Sequence, residues 1–129
     1  MNILIVSHQG VASGIASAAQ MIVGDISQIH TIELTEAGVD VFADELENYL
    51  KEWLSKDTGI VLADLKGGTP FNTASRFSFK NENVAVMYGM NLPLVITASL
   101  EASEEGQTLK KLTESLTAQL TDTIGLSEL

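Results

Sequence analysis

Short runs of consecutive apolar residues alternate along this chain with longer segments in which apolar side chains recur every three or four positions. The first pattern marks strands buried on both faces of a parallel sheet, and the second marks helices packed against one. Asn2 to Val6 is such a run, and a Ser-His-Gln-Gly turn follows it. Val11 to Val23, rich in Ala, Ile and Met, reads as a helix that Gly24 ends as a C-terminal cap. Ile29 to Leu34 reads as a second strand. From Val39 to Leu54, the residues Val39, Phe42, Leu46, Tyr49, Leu50 and Trp53 form one apolar face, with Glu47 and Lys51 as an i,i+4 pair opposite. This is an amphipathic helix, with Tyr49 and Trp53 assigned to the core.

Ile60 to Ala63, introduced by Gly59, is a third buried strand leading into Asp64-Leu65-Lys66-Gly67-Gly68-Thr69-Pro70. Thr69 is placed to N-cap a helix and Pro70 to take its first position, so a helix is predicted from about Pro70 to Phe79. Asn83 to Met87 reads as a fourth strand, and Asn91-Leu92-Pro93 opens a further helix. Leu109, Leu112, Leu116 and Leu120 mark a C-terminal helix, the acidic stretch Glu101 to Glu105 reads as a solvated helix start, and Thr121 to Leu126 as a weak strand. The alternation predicts an α/β fold in which a mostly parallel central sheet is flanked by helices. No repeat, low-complexity tract or linker divides residues 1–129, so one domain is expected.

Composition narrows the function. A chain of 129 residues, 45% of them apolar, buries roughly two-thirds of its unfolded surface and folds without a staple. The absence of cysteine excludes disulfides, thiolate metal sites and thiol catalysis. Seventeen acidic against seven basic residues give a net charge of −10, which repels nucleic acid and anionic lipid. The first apolar run lacks a basic lead and is too short for a signal core or a membrane span, so a cytoplasmic protein without membrane insertion is expected.

In a parallel sheet the ligand site lies beyond the carboxyl ends of the strands, which is where the turns after the first and third strands fall. The first turn carries His8, one of two histidines, and Gly10. A histidine at a strand end is often merely hydrogen-bonded. Gly10, however, lets the amides that open the following helix approach an anion. The second turn carries Asp64, Gly67, Gly68 and Thr69, which by themselves also fit a plain glycine turn with a cap. If the first and third strands are neighbours, Asp64 can accept from Nδ1–H of His8 and leave Nε2 as the nucleophile. Gly67, Gly68 and Thr69 then offer backbone amides, and Thr69 its hydroxyl, to a phosphoryl group. His30 reads as a structural or surface residue. Lys66 and Arg76 are either phosphate-holding cations or solvated side chains. No metal or cofactor is implied: ligand clusters, the P-loop pattern and the Gly-x-Gly-x-x-Gly fingerprint are all absent.

Three segments, Ile-Val-Ser-His-Gln-Gly at 5–10, Asp-Leu-Lys-Gly-Gly-Thr-Pro-Phe-Asn at 64–72 with Ala74-Ser75-Arg76 beyond, and Gly89-Met90-Asn91-Leu92-Pro93, carry a resemblance. In order, spacing and context, from the first strand to about Leu100, the chain resembles the enzyme IIA component of the mannose family in the bacterial sugar phosphotransferase system. The resemblance implies that His8 receives a phosphoryl group from the carrier HPr and passes it to enzyme IIB for sugar uptake. Asp64 orients that histidine, and Thr69 supplies the hydroxyl of the phosphate pocket. It also implies a homodimer, with a C-terminal strand exchanged between subunits for which Thr121 to Leu126 is the candidate. Dihydroxyacetone-kinase phosphotransfer subunits look related, but the Gly-Gly-Thr-Pro-Phe-Asn segment favours the mannose family. Two other readings use the same loops: a module binding flavin or another phosphate ligand without covalent chemistry, and a regulatory phosphoprotein.

Overall fold

In the computed structural model, which describes residues 1–128, the apolar runs form four strands: β1 (Asn2–His8), β2 (Ile29–Leu34), β3 (Gly59–Ala63) and β4 (Val84–Tyr88). They make one sheet in the order β2-β1-β3-β4, and every neighbouring pair is parallel. Between them run α1 (Val11–Val23), α2 (Val39–Leu54) and α3 (Thr69–Ser78), followed by α4 (Leu92–Glu101) and α5 (Leu109–Ala118).

Alternate residues of a strand face opposite ways, so each inner strand feeds two cores. Ile3, Ile5, Ile60 and Leu62 pack beneath α1, α4 and α5, whereas Leu4, Val6, Val61 and Ala63 pack beneath α2 and α3. Burial on both faces explains the unbroken apolar runs of β1 and β3. The outer strand β2 differs: His30 and Thr31 are exposed between buried Ile29 and Ile32. His30 lies against Tyr49, whose ring in turn meets Trp53. Trp53 leans so closely over the start of β3 that a Cβ on Gly59 would stand 1.6 Å from its Cζ2, which explains a glycine at that strand's first position.

Four expectations from the sequence need correction. Val39 is 52% exposed in the first turn of α2, and the packed face begins at Phe42. Thr69 is the first helical residue of α3 rather than its cap; Gly68 takes the cap position and contributes no side chain. Glu101 ends α4 and Ser103 to Glu105 form a turn, because α5 begins only after Thr108, whose hydroxyl accepts from Lys111 N–H. Thr121 to Leu126 contains no strand: Leu120–Asp122 is a 3-10 turn, and Thr123 Oγ1 accepts from Asn91 Nδ2 at 3.0 Å, tying the tail to the start of α4.

Sheet order matters most for the site. β1 connects outward to β2 and β3 connects outward to β4, so the chain diverges between the carboxyl ends of β1 and β3. Such a divergence opens a crevice at the sheet's end. Among the described residues, no helix is long and apolar enough to cross a membrane.

Candidate active site

His8 is the last residue of β1, and Asp64 follows the last residue of β3 directly. Because Val6 is in register with Ala63, these two positions meet across the crevice. His8 Nδ1 lies 2.8 Å from Asp64 Oδ2, and the same oxygen accepts the backbone N–H of His8 at 2.9 Å. A carboxylate oxygen can only accept, so Nδ1 is the donor, and in the neutral ring the lone pair is then on Nε2. The Asp64 side chain is 13% exposed against 44% for His8. Its second oxygen, Oδ1, is buried without a hydrogen-bond partner among the described residues. The carboxylate charge is therefore concentrated on the two N–H groups of His8.

The β3–α3 loop wraps the imidazole from the other side. Gly67 adopts φ +80°, and Gly68 closes a turn by donating its N–H to Leu65 O at 3.1 Å. The expectation that the Gly68 amide is open to a ligand thus fails, since the turn consumes it. What Gly68 provides is room: a Cβ there would stand 3.0 Å from His8 Cε1 and 3.3 Å from Leu65 O. The amides of Gly67 and Thr69, and the Thr69 hydroxyl, make no hydrogen bond among the described residues. They mark the start of α3, where the helix dipole favours negative charge.

The start of α1 is built differently. Gly10 is its cap residue, at φ +89°, and has no side chain with which to cap. Ser7, completely buried, does so instead: its Oγ donates to His8 O at 2.7 Å and accepts from Ala12 N–H at 2.8 Å. Glu33 reaches over from β2, and its Oε2 accepts from Ser13 N–H at 2.9 Å. The expectation that the opening amides of α1 are vacant for an anion is corrected accordingly, because two of them already have internal partners. Ser7 and Glu33 are the residues that sequence reasoning missed. The available signal was Ser7 itself, a hydroxyl inside a buried run that demands a partner.

Lys66 turns toward β4, its Nζ 5.0 Å from the ring centroid of Tyr88, which also meets Phe71 edge-on at 5.5 Å. Arg76 sits in the last turn of α3, seven residues and thus roughly 10 Å along the axis from Thr69. With Leu46, Phe77 and Lys80 it lines a groove of about 320 Å³ between α2 and α3. That groove is not lined by His8, Asp64, Gly67, Gly68 or Thr69.

The molecule is thus a doubly wound parallel α/β protein with an accessible, carboxylate-paired histidine at its topological switch point. A family model described as the PTS system fructose IIA component, of the mannose EIIA type, matches residues 2–117. The chain belongs to that family and is a IIA component of the mannose, sorbose and fructose type of sugar phosphotransferase system. The sorbose-specific EIIA component of Lacticaseibacillus casei is 27% identical over 104 residues, which are 80% of this chain and 75% of that protein. The mannose-specific EIIAB component of Escherichia coli K12 is 26% identical over 80% of this chain but only 32% of its own length. Among solved structures, the mannose/sorbose-specific IIA subunit from Enterococcus faecalis superposes with a TM-score of 0.86 at 28% identity, covering 99% of this chain and 95% of that one.

Proposed function

We propose that the chain carries a phosphoryl group on Nε2 of His8, received from phospho-HPr and delivered to enzyme IIB for sugar uptake in the cytoplasm. The carrying observation is the 2.8 Å contact between His8 Nδ1 and Asp64 Oδ2, which supports a proton on Nδ1 and a lone pair on exposed Nε2. The Nε2 lone pair forms a bond to phosphorus as the donor's N–P bond breaks and its electron pair returns to the donor ring. His8 becomes cationic while it bonds, and Asp64 stabilises that charge through Nδ1–H. The amides of Gly67 and Thr69 and the Thr69 hydroxyl face the phosphoryl oxygens. Gly10 and Gly68 keep side chains out of their path. The remaining catalysis is positioning, with no metal or other cofactor taking part.

Incubation with phosphoenolpyruvate, enzyme I and HPr should add one phosphoryl group, labile in acid and stable in base. A His8→Ala variant labelled to the same stoichiometry would overturn the assignment. The reading includes a homodimer, supported by β4, which lies at the outer edge of the sheet, and by Ile124 and Leu126, which are 75% and 96% exposed. Uncovered strand edges and apolar tails are surfaces that second copies cover. Light scattering of the same preparation should give twice the chain mass, and a monomer mass at every concentration would reject the dimer.

A further inference from the structure

Glu33 takes no part in the His8–Asp64 pair, yet its carboxylate reaches the same end of the sheet. Ser7 and Glu33 are partners across β1 and β2, so their side chains leave the sheet on one face, toward α1. There they divide the opening amides of α1 between them, Ala12 to Ser7 and Ser13 to Glu33. Partial burial pushes the Glu33 carboxyl up. The amide and hydroxyl of Ser13, with the amide of Gly10, outweigh that and hold it below the usual carboxylate range. A neutral acceptor would satisfy the same amide. The charge therefore has an effect that capping alone does not need: it offsets the positive end of the α1 dipole, and α1 begins three residues after His8.

We propose that Glu33 is a positioning residue that sets the phosphoryl-transfer potential of His8. With its carboxylate at the start of α1, a phosphoryl dianion on Nε2 gains nothing from that helix and meets a like charge instead. The β3–α3 loop alone steadies it. The phosphorylated form is thereby kept a ready donor, and no atom or co-reactant beyond the N–P exchange between donor and acceptor histidines enters. The inference rests on His8 being the carrier.

The test is Glu33→Gln, which keeps an oxygen for Ser13 N–H and removes the charge. Starting from phospho-HPr, the equilibrium between the two phosphoproteins should move toward this chain by roughly threefold, the scale of one helix-end charge. The shift should shrink at high salt, as screening shortens the reach of the charge. Glu33→Asp retains the charge and should keep the wild-type equilibrium, and thermal melting should show both variants folded. An unchanged equilibrium in a folded, fully labelled Glu33→Gln protein would overturn the proposal, as would equal shifts in the Gln and Asp variants. Failure of the wild-type protein to accept phosphate is a separate result, since it removes the carrier role of His8 itself.

Discussion

Helices α1 and α3 begin at the same crevice and both start from a glycine, yet their first turns are used in opposite ways. At α1 the amides of Ala12 and Ser13 are taken by a buried hydroxyl and a carboxylate from neighbouring strands. At α3 no side chain caps the start, Pro70 has no amide to satisfy, and the Thr69 amide and hydroxyl stay unbonded among the described residues. A helix end whose amides are bonded internally has few left for an incoming anion, and an unfilled one beside a reactive side chain is free to receive it. The contrast assigns the two loops different duties. In the proposed function the β1–α1 loop holds His8 in place, while the β3–α3 loop orients its ring and receives the phosphoryl group. Substitutions in the second loop should reduce transfer with little effect on folding, and substitutions in the first should do the reverse.

The largest effect is expected at Asp64. Asp64→Asn keeps the shape but replaces a charge that serves two N–H groups of His8 with a neutral amide. Hydrogen bonds to an ionised acceptor are about twice as strong as neutral ones. An amide can also turn its NH₂ toward the ring, favouring the tautomer that protonates Nε2 and blocks attack. Transfer from phospho-HPr should fall by about tenfold or more, a loss of roughly 1.4 kcal/mol or greater in the transition state, with folding retained. Nitrogen NMR should show Nε2 unprotonated in the neutral wild-type ring. A wild-type transfer rate in the variant would remove the orienting role and with it half of the contrast.

Gly68→Ala probes the same loop through space rather than charge. Its φ of −74° suits alanine, so the backbone is not strained. The added methyl carbon would sit 3.0 Å from His8 Cε1, inside normal van der Waals contact, and the ring must shift by a few tenths of an ångström. A misplacement of 1 Å can cost about a hundredfold, so a smaller displacement should slow transfer by roughly tenfold or less. Stopped-flow transfer and a melting curve together check this, and a variant that melts early yet transfers normally would contradict it.

The strands and their parallel sense were legible because burial on both faces leaves an unbroken apolar run, whereas the His8–Asp64 pairing followed only on the condition that the first and third strands are neighbours, which the sheet order meets. The glycine loop was legible as a location, but not in the duty of each residue. Whether Gly68 offers an amide or merely clearance depends on a turn bond to Leu65 O that no spacing rule reveals. Glu33 was invisible because its partner, Ser13, is twenty residues away in sequence and meets it only once β2 lies beside β1. The acidic turn after α4 misled for a related reason. Glu101 is held by Ser115 and Gln119 of the α5 region, so its charge serves a tertiary contact and not the start of a helix.

Ser7→Ala carries the smallest expected effect on transfer and tests the first loop's duty most directly. Ser7 is fully buried and joins His8 O to Ala12 N–H through one hydroxyl, so its removal takes that bridge from a buried donor and a buried acceptor. An unsatisfied buried group costs about 1–3 kcal/mol, and loss of a helix cap about 1 kcal/mol, two descriptions of one lost contact that do not add. Denaturant unfolding should therefore show a stability loss of roughly 1–2 kcal/mol, with the slope unchanged because the surface exposed on unfolding is the same. Transfer should decline by less than about threefold, because Asp64 still holds both N–H groups of His8 and the start of α3 is untouched. Glu33 remains at the Ser13 amide and limits fraying of α1 to its first turn. A Ser7→Ala protein as stable as wild type but slower in transfer by tenfold would place this hydroxyl with the chemistry, and the division of labour between the two helix starts would fail.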